Sequence, residues 1–355
     1  MLKMLSLIVE DCSPAFMDNI TIKDIAKALN LSTSTVSRAL RDSYEISPET
    51  KRMVLEYAER MHYRPNPIAL SLKENRSQSI GVMVPEIANN YFSQAINGIE
   101  AAAYERGYHV VISQSQESYE REIAEVEHLA SRRVDGLLMS LSSHTADVSH
   151  LKSLQSRGMP LVFFDRIPSD IETHKVIADN KGGAFEAADH LLETGRRSIA
   201  HITSQPGLFI TRERLQGYKD ALQKHNVPFR EELVKYCSYA SDEVERNIDA
   251  LFSLPQPPDA FFTASDRLAL PYYAGLKKRG FRIPEDVAFL GYFNLNVSDL
   301  LDPPMSVVVQ PAFEMGHKAA ELLLDLIEAK QKPDAYQTVN LSTKLIIRGS
   351  SLGKE

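Results

Sequence analysis

Two rhythms of apolar and polar positions divide this chain. From residue 20 to about 63 apolar residues recur at helical spacing; from Ser79 onward short unbroken apolar runs alternate with longer helical stretches. Ile22, Ile25, Ala26 and Leu29 fall at i, i+3, i+4 and i+7, behind Thr21 as a capping residue and with Asp24 three positions later in a loose capping box. Asn30-Leu31-Ser32 breaks this helix. A very short second helix over 33–40 starts from Ser32, with Val36, Ala39 and Leu40 turned to the first helix and Thr33, Ser34, Ser37 and Arg38 left outward. Ser47-Pro48-Glu49 opens a third helix with a cap and a proline at its first position, and its apolar stripe is Val54, Tyr57, Ala58 and Met61.

Two helices across a three-residue turn, the second short and rich in small hydroxyls plus an arginine, make the helix-turn-helix pattern. A helix that must approach base edges in the major groove needs such side chains, and bulky apolar ones would obstruct it. A plain three-helix bundle with a solvated polar face fits the same spacing. Beyond it, Asn66 can cap and Pro67 can fill the first turn of a helix too short to be stable alone. Its Ile68, Leu70 and Leu72 suit either a wedge between base steps of the minor groove or a linker with a few packed aliphatics.

In the second region, 80–84 reads as a buried strand followed by a helix ending near Gly107. Strand 108–113, helix 120–132, strand 134–139, helix 148–157 and strand 161–164 continue the series. A second series runs through helix 182–192, strand 199–203, helix 212–225, strand 260–264, helix 268–279 and strand 287–291. Strands alternating with long helices imply α/β architecture with a parallel sheet covered on both faces. Two such series imply two similar lobes, with a ligand between them at the carboxyl ends of the strands.

Composition narrows the class. With 355 residues, 43% of them hydrophobic and 25% charged, the chain is neither collagen-like, nor disulfide-built, nor wholly disordered. No apolar run is long enough to span a membrane. Cys12 and Cys237 are too few for a disulfide framework or a four-cysteine zinc site and suit a reducing cytoplasm. The net charge of −7 argues against nucleic-acid binding only if the chain is one body. Residues 18–76 carry ten Lys/Arg against eight Asp/Glu, whereas 77–355 carry 29 against 37. A small, mildly basic segment thus precedes a large acidic one, an asymmetry that permits a nucleic-acid module attached to a soluble body. The apolar stretch 4–9 is short for a secretory signal and reads as part of a tail, or as sequence upstream of a start at Met17. There is no phosphate-binding Gly loop ending in Lys-Ser/Thr, no His-Glu-x-x-His, no serine elbow and no Cys–His pair, so no enzyme, cofactor or metal is expected. His144 and His150 flank Asp147 at a spacing poor for one helical face; Gly182-Gly183 suits an anion nest or ordinary capping beside Asn180.

Thr21-Ile22-Lys23-Asp24-Ile25-Ala26, the run 32–40 and Tyr63-Arg64-Pro65-Asn66 resemble the DNA-binding headpiece of lactose/galactose-repressor-family transcription regulators, without gaps from about Ile20 to Lys73. The resemblance implies that Thr33, Ser34 and Arg38 read the major groove, that Thr35 and Ser37 hold phosphates, and that Leu72 is the minor-groove wedge. Thr21 and Asn66 complete the expected DNA contacts. Leu70 departs from the polar or basic residue of many relatives, and Arg41 stands where Asn is common, adding a phosphate or base contact.

Asn89-Asn90-Tyr91-Phe92, Phe164-Asp165-Arg166, the run 212–218 and Gln310-Pro311 resemble the same family's periplasmic-binding-protein-like effector domain. This implies a tail over 1–19, a headpiece over 20–65, a hinge helix and linker over 66–78, and an effector-binding, dimerising domain of two discontinuous lobes over 79–355. Crossings between lobes are expected near 165–178, 291–312 and 335–340. Tyr91 and Phe92 match the family's aromatic pair, although Phe92 also suits the lobe core. Asp165 would accept ligand hydroxyls, Arg214 would anchor the ligand, and Arg212 suits the surface. Asp179 and Asp266 fit ligand contacts and helix caps equally. The family's Gly-Tyr-Asp-Asp type of motif is Gly291-Tyr292-Phe293-Asn294 here, and Ser265 stands where sugar-binding relatives have Asn. With Arg166 and Gln310 these residues complete the expected cleft, and the departures leave room for an aromatic-stacked or partly anionic ligand. The implied protein is a cytoplasmic, nucleoid-associated homodimer on pseudo-palindromic double-stranded operator DNA, controlled by a sugar or related metabolite and without a membrane partner. A transport solute-binding protein would explain the body but not residues 20–73.

Overall fold

The N–H and hydroxyl of Thr21 both donate to the Asp24 carboxylate, at 2.9 and 2.6 Å, and this pair opens helix α1 (Ile22–Ala28). Asn30 ends it in the left-handed region, at φ 51°. Ser32 Oγ then accepts the Thr35 N–H at 3.0 Å to start α2 (Thr33–Ala39). Ser47 does the same for α3 (Pro48–Arg60), accepting from Thr50 N–H at 3.2 Å. Ile25, Ala26, Val36, Ala39, Val54 and Ala58 close the core of this small bundle. Met61, expected in the α3 stripe, follows the helix end and is 38% exposed.

The computed structural model describes residues 20–63, 76–237, 241–295, 297–329, 331 and 333–353. Asn66 and Leu72, with most of the expected hinge, lie outside the described residues. The chain forms two units, 1–77 and 78–355.

The second unit begins with β1 (Ser79–Val84), α4 (Asn90–Glu105), β2 (His109–Gln114), α5 (Tyr119–Ser131), β3 (Leu137–Met139), α6 (Ser149–Ser156), β4 (Leu161–Phe164) and β5 (Lys175–Ala178). It continues with α7 (Asn180–Glu193), β6 (Ile199–Thr203), α8 (Phe209–Lys224), β7 (Val234–Tyr236), α9 (Ser241–Phe252), β8 (Ala260–Thr263), α10 (Asp266–Lys278), β9 (Ala288–Tyr292) and β10 (Ser306–Val309). Then follow α11 (Ala312–Glu328), β11 (Thr338–Leu341) and β12 (Lys344–Ile346). The strands form two sheets, β11-β5-β4-β3-β1-β2 and β12-β10-β9-β8-β6-β7. All neighbours run parallel except β10 and β12.

Each sheet is apolar on both faces because helices cover both, as in doubly wound folds. The chain changes lobe at 178–180, 309–312 and 341–344. The first crossing comes at the very end of the expected stretch because β5 still joins the first sheet. The third comes later than 335–340 because β11 pairs with β5 before the chain leaves. In the first lobe α4 and α11 touch backbone to backbone: a Cβ at Gly98 would lie 2.0 Å from Phe313 O, and one at Gly316 1.9 Å from Ala95 O. Only glycine permits this approach, which seats the Tyr91 hydroxyl 2.9 Å from Met315 Sδ. Among the described residues no helix is long and apolar enough to cross a membrane.

Candidate functional site

The outward face of α2 is polar by construction. Thr33, Ser34 and Arg38 are exposed while Val36 and Ala39 on the opposite side are buried. Ser32 Oγ also bonds the hydroxyls of Ser34 (2.7 Å) and Thr35 (2.8 Å), so the start of the helix presents a linked row of hydroxyls. Arg38 pairs with Glu45 at 3.1 Å, an exposed pair of little energetic weight that solvent and salt readily exchange. Arg41 turns back onto Ser37, with Nη2 donating to Oγ at 2.9 Å and Nε to the carbonyl at 3.2 Å. The Thr21 hydroxyl is engaged with Asp24.

In the body, the candidate ligand residues gather where strands of both sheets end. Asp165 follows β4 with φ 60°, a left-handed conformation that surrounding packing must hold. Burial pushes its carboxyl above the usual range, against the pull of Arg166 and Arg214 and a hydrogen bond from Tyr91. Tyr91 is pushed well above its ordinary value by burial and by this carboxylate. Arg214 on α8 is buried, donating from Nε to Asn180 Oδ1 at 2.8 Å and from Nη1 to the Ala264 carbonyl, with its guanidinium 3.8 Å from the centre of the Tyr292 ring. Tyr91, Asp165, Arg166 and Arg214 thus form one electrostatically coupled group.

Other contacts bridge the lobes. Asn89 Nδ2 donates to Asp266 Oδ1 at 3.2 Å, and Asn90 Nδ2 and Gln94 Nε2 donate to the Asn294 carbonyl at 2.8 and 3.2 Å. Asp266 is raised by burial, partly offset by the Asn89 bond. Asn294 and Gln310 clasp each other, Nδ2 to O at 2.7 Å and N to Oδ1 at 3.2 Å, joining the ends of β9 and β10. Arg166 Nη1 meets both oxygens of Glu117, at 3.0 and 2.9 Å, and its guanidinium lies 5.7 Å from the Phe92 ring centre.

Phe293 is placed elsewhere. It is buried among Tyr272, Met305 and Val307 in the core of the second lobe, so the lost carboxylate has been replaced by packing. Phe92 is likewise buried in the first-lobe core, edge-on to Tyr91. Asp179 caps α7 through Gly182 N–H at 2.9 Å, and Asn180 is the residue that holds Arg214. Arg212 is exposed. Both cleft arginines face carboxylates: Arg166 with Glu117, and Arg214 within reach of Asp165 and Asp266. That distribution disfavours the partly anionic ligand the sequence left open.

Several contributors were not singled out from sequence. Ser115, Ser140 and Gln310 immediately follow β2, β3 and β10, Ser265 comes two residues after β8, and their Oγ or Nε2 atoms are buried without a hydrogen-bond partner among the described residues; of these, Ser115 and Ser140 carry no family motif. A small hydroxyl at the end of an apolar run was the available signal. Glu86, Glu117 and Arg267 carried none. Among the described residues no three His, Cys, Asp or Glu gather to hold a metal.

Residues 21–66 match the description "Bacterial regulatory proteins, lacI family", and residues 188–351 match "Periplasmic binding protein-like domain". The HTH-type transcriptional repressor CytR of Escherichia coli (strain K12) is 31% identical over 331 residues, covering 93% of this chain and 96% of that protein. A solved structure of a transcriptional regulator CelR–cellobiose complex is 31% identical, with TM-score 0.70, over 93% of this chain and 99% of that one. The lac repressor dimer bound to operator and the anti-inducer ONPF shares the fold, with TM-score 0.81 at 22% identity over 94% and 99% of the two chains.

Proposed function

Since this chain belongs to the lacI family of bacterial regulatory proteins, and is a DNA-binding transcription regulator with an effector domain, we propose that it represses transcription as a homodimer on a pseudo-palindromic operator, under control of a neutral, hydroxyl-rich small molecule held between the lobes. Its place of action is the cytoplasm, at the nucleoid. The observation that carries the DNA half is the capped helix α2, which turns Thr33, Ser34 and Arg38 outward while burying Val36 and Ala39. Thr33, Ser34 and Arg38 read base edges; Thr35, Ser37 and Arg41 meet phosphates; Thr21, Asn66 and Leu72 complete the contacts. A two-fold dimer doubles the short site that one headpiece covers.

The effector half rests on the buried carboxyls of Asp165 and Asp266, both under the pull of Arg214, and on the unmatched buried polar atoms of Ser115, Ser140, Ser265 and Gln310 near strand ends. Acceptors and small donors without surplus positive charge suit a sugar or sugar derivative, as in the cellobiose complex of the regulator above. Tyr91, Arg166 and Asn294 shape the same cleft. A ligand that favours one lobe arrangement shifts operator affinity, and operator shifts ligand affinity by the same factor. The test is a thermal-shift screen of neutral mono- and disaccharides against the wild type and Asp165→Asn. A compound that stabilises the wild type and loses that effect in the variant supports the reading. Stabilisation by phosphorylated sugars alone refutes the ligand class.

A further inference from the structure

At the mouth of the cleft three charged side chains, Glu86, Glu117 and Arg267, meet across the lobes. Glu117 lies just after β2 in the first lobe, and Arg267 is the second residue of α10 in the second. Arg267 Nη1 lies 3.2 Å from Glu86 Oε2 and 3.5 Å from Glu117 Oε1. Glu117 therefore stands between Arg166 of its own lobe and Arg267 of the other, and also accepts the Ser143 N–H at 2.7 Å. Arg166, Arg267 and the Ser143 N–H thus hold the carboxylate from three sides. Gln116 and Glu117 are consecutive left-handed residues, at φ 50° and 59°, and the Gln116 N–H is tied to the Pro85 carbonyl at 2.8 Å. The Glu117 side chain is only 13% exposed, where an ion pair is screened less than on an open surface.

We propose that Glu117 is a positioning residue of the cleft: it holds Arg166 toward the ligand space and, through Arg267 with Glu86, latches the two lobes together in the absence of effector. The latch makes closure partly pre-organised, so the effector meets a cleft already biased toward its closed form. The bias is electrostatic and weakens with salt. The latch rests on the effector cleft proposed above, and depends on neither the effector's identity nor operator binding.

The test uses the full-length chain in a Cys12→Ser background, with dyes at Glu127→Cys in the first lobe and Arg246→Cys in the second, both exposed positions. Labelled chains are diluted into unlabelled protein, and interlobe energy transfer is read on single molecules without ligand. The high-transfer population should dominate at about 0.05 M NaCl and fall as NaCl rises to about 1 M. Arg267→Ala should lower the closed-to-open ratio about threefold to tenfold at low salt and flatten the salt response. Glu117→Gln should do the same, and Arg267→Lys should restore much of the closed population. Circular dichroism on each variant identifies any that has unfolded, and the wild-type salt titration needs no variant at all. A wild-type distribution insensitive to salt, or a folded Arg267→Ala indistinguishable from wild type, overturns the proposal.

Discussion

Replacing His201 by phenylalanine should remove an acid sensitivity that the second lobe carries in its core. His201 lies on β6, fully buried, its ring stacked on Tyr218 at 5.1 Å and packed against Phe262 at 5.0 Å. Neither ring nitrogen has a hydrogen-bond partner among the described residues. Burial, with a smaller push from Arg214, drops its pKa from 6.5 to about 3. An unfolded chain takes up this proton near pH 6.5, the native protein only near 3. Between those values the unfolded state holds a proton that the native state lacks, so stability falls as pH falls. At pH 5 the loss relative to pH 8 is about 2 kcal/mol from this one residue, at roughly 1.4 kcal/mol per pH unit below 6.5. Phenylalanine keeps the stacked shape without the titrating group or the unmatched nitrogens. Urea unfolding of the wild type and His201→Phe at pH 8 and pH 5 gives the difference directly, because every other group is common to both. The variant should lose about 2 kcal/mol less than the wild type over this interval. Equal losses would show that His201 is hydrated or paired in solution and would refute the reasoning.

Three further outcomes follow from particular contacts. Phe293→Ala should cost about 3–5 kcal/mol in chemical unfolding, because Phe293 is core and not cleft, and should leave ligand affinity of the folded protein unchanged. Gly316→Val should cost about 3 kcal/mol or more in the same assay, since its Cβ would fall 1.9 Å from the Ala95 carbonyl oxygen and force α4 and α11 apart. Ser32→Ala should remove the cap of α2, costing the headpiece about 1 kcal/mol by thermal melting and weakening operator binding in step.

The headpiece was legible because its signals are local: caps at Thr21, Ser32 and Ser47, a proline at position 48, and helical spacing between them. The central strands were legible for a similar reason, since Leu161–Phe164 is an uninterrupted apolar run and Ile199–Thr203 is apolar but for His201 and Thr203, and both are buried throughout. Two short strands at the sheet margins were not. Lys175–Ala178, next to the edge strand β11, and Val234–Tyr236, at an edge, each carry a lysine, and half-exposed positions weaken the apolar run. The lobe crossings turn on which sheet a strand joins. Thr338–Leu341 and Lys344–Ile346 stand two residues apart yet enter different sheets, a choice made by distant partners. In the cleft, Asp165 was visible by its place at a strand end and Arg214 by the family resemblance. Glu117 and Arg267 were not, because an ion pair between lobes leaves no periodic trace along the chain.

The most direct test of the central claim is the operator affinity of Arg38→Ala. The site is first located by footprinting the full-length wild-type protein on DNA flanking its own coding region, and affinity is then measured by fluorescence anisotropy at fixed salt. If the outward face of α2 reads the groove, the protected site is two-fold symmetric and Arg38→Ala binds it about tenfold to a hundredfold more weakly, with the helical content of the headpiece intact. A folded Arg38→Ala that binds the same site with wild-type affinity would contradict the account.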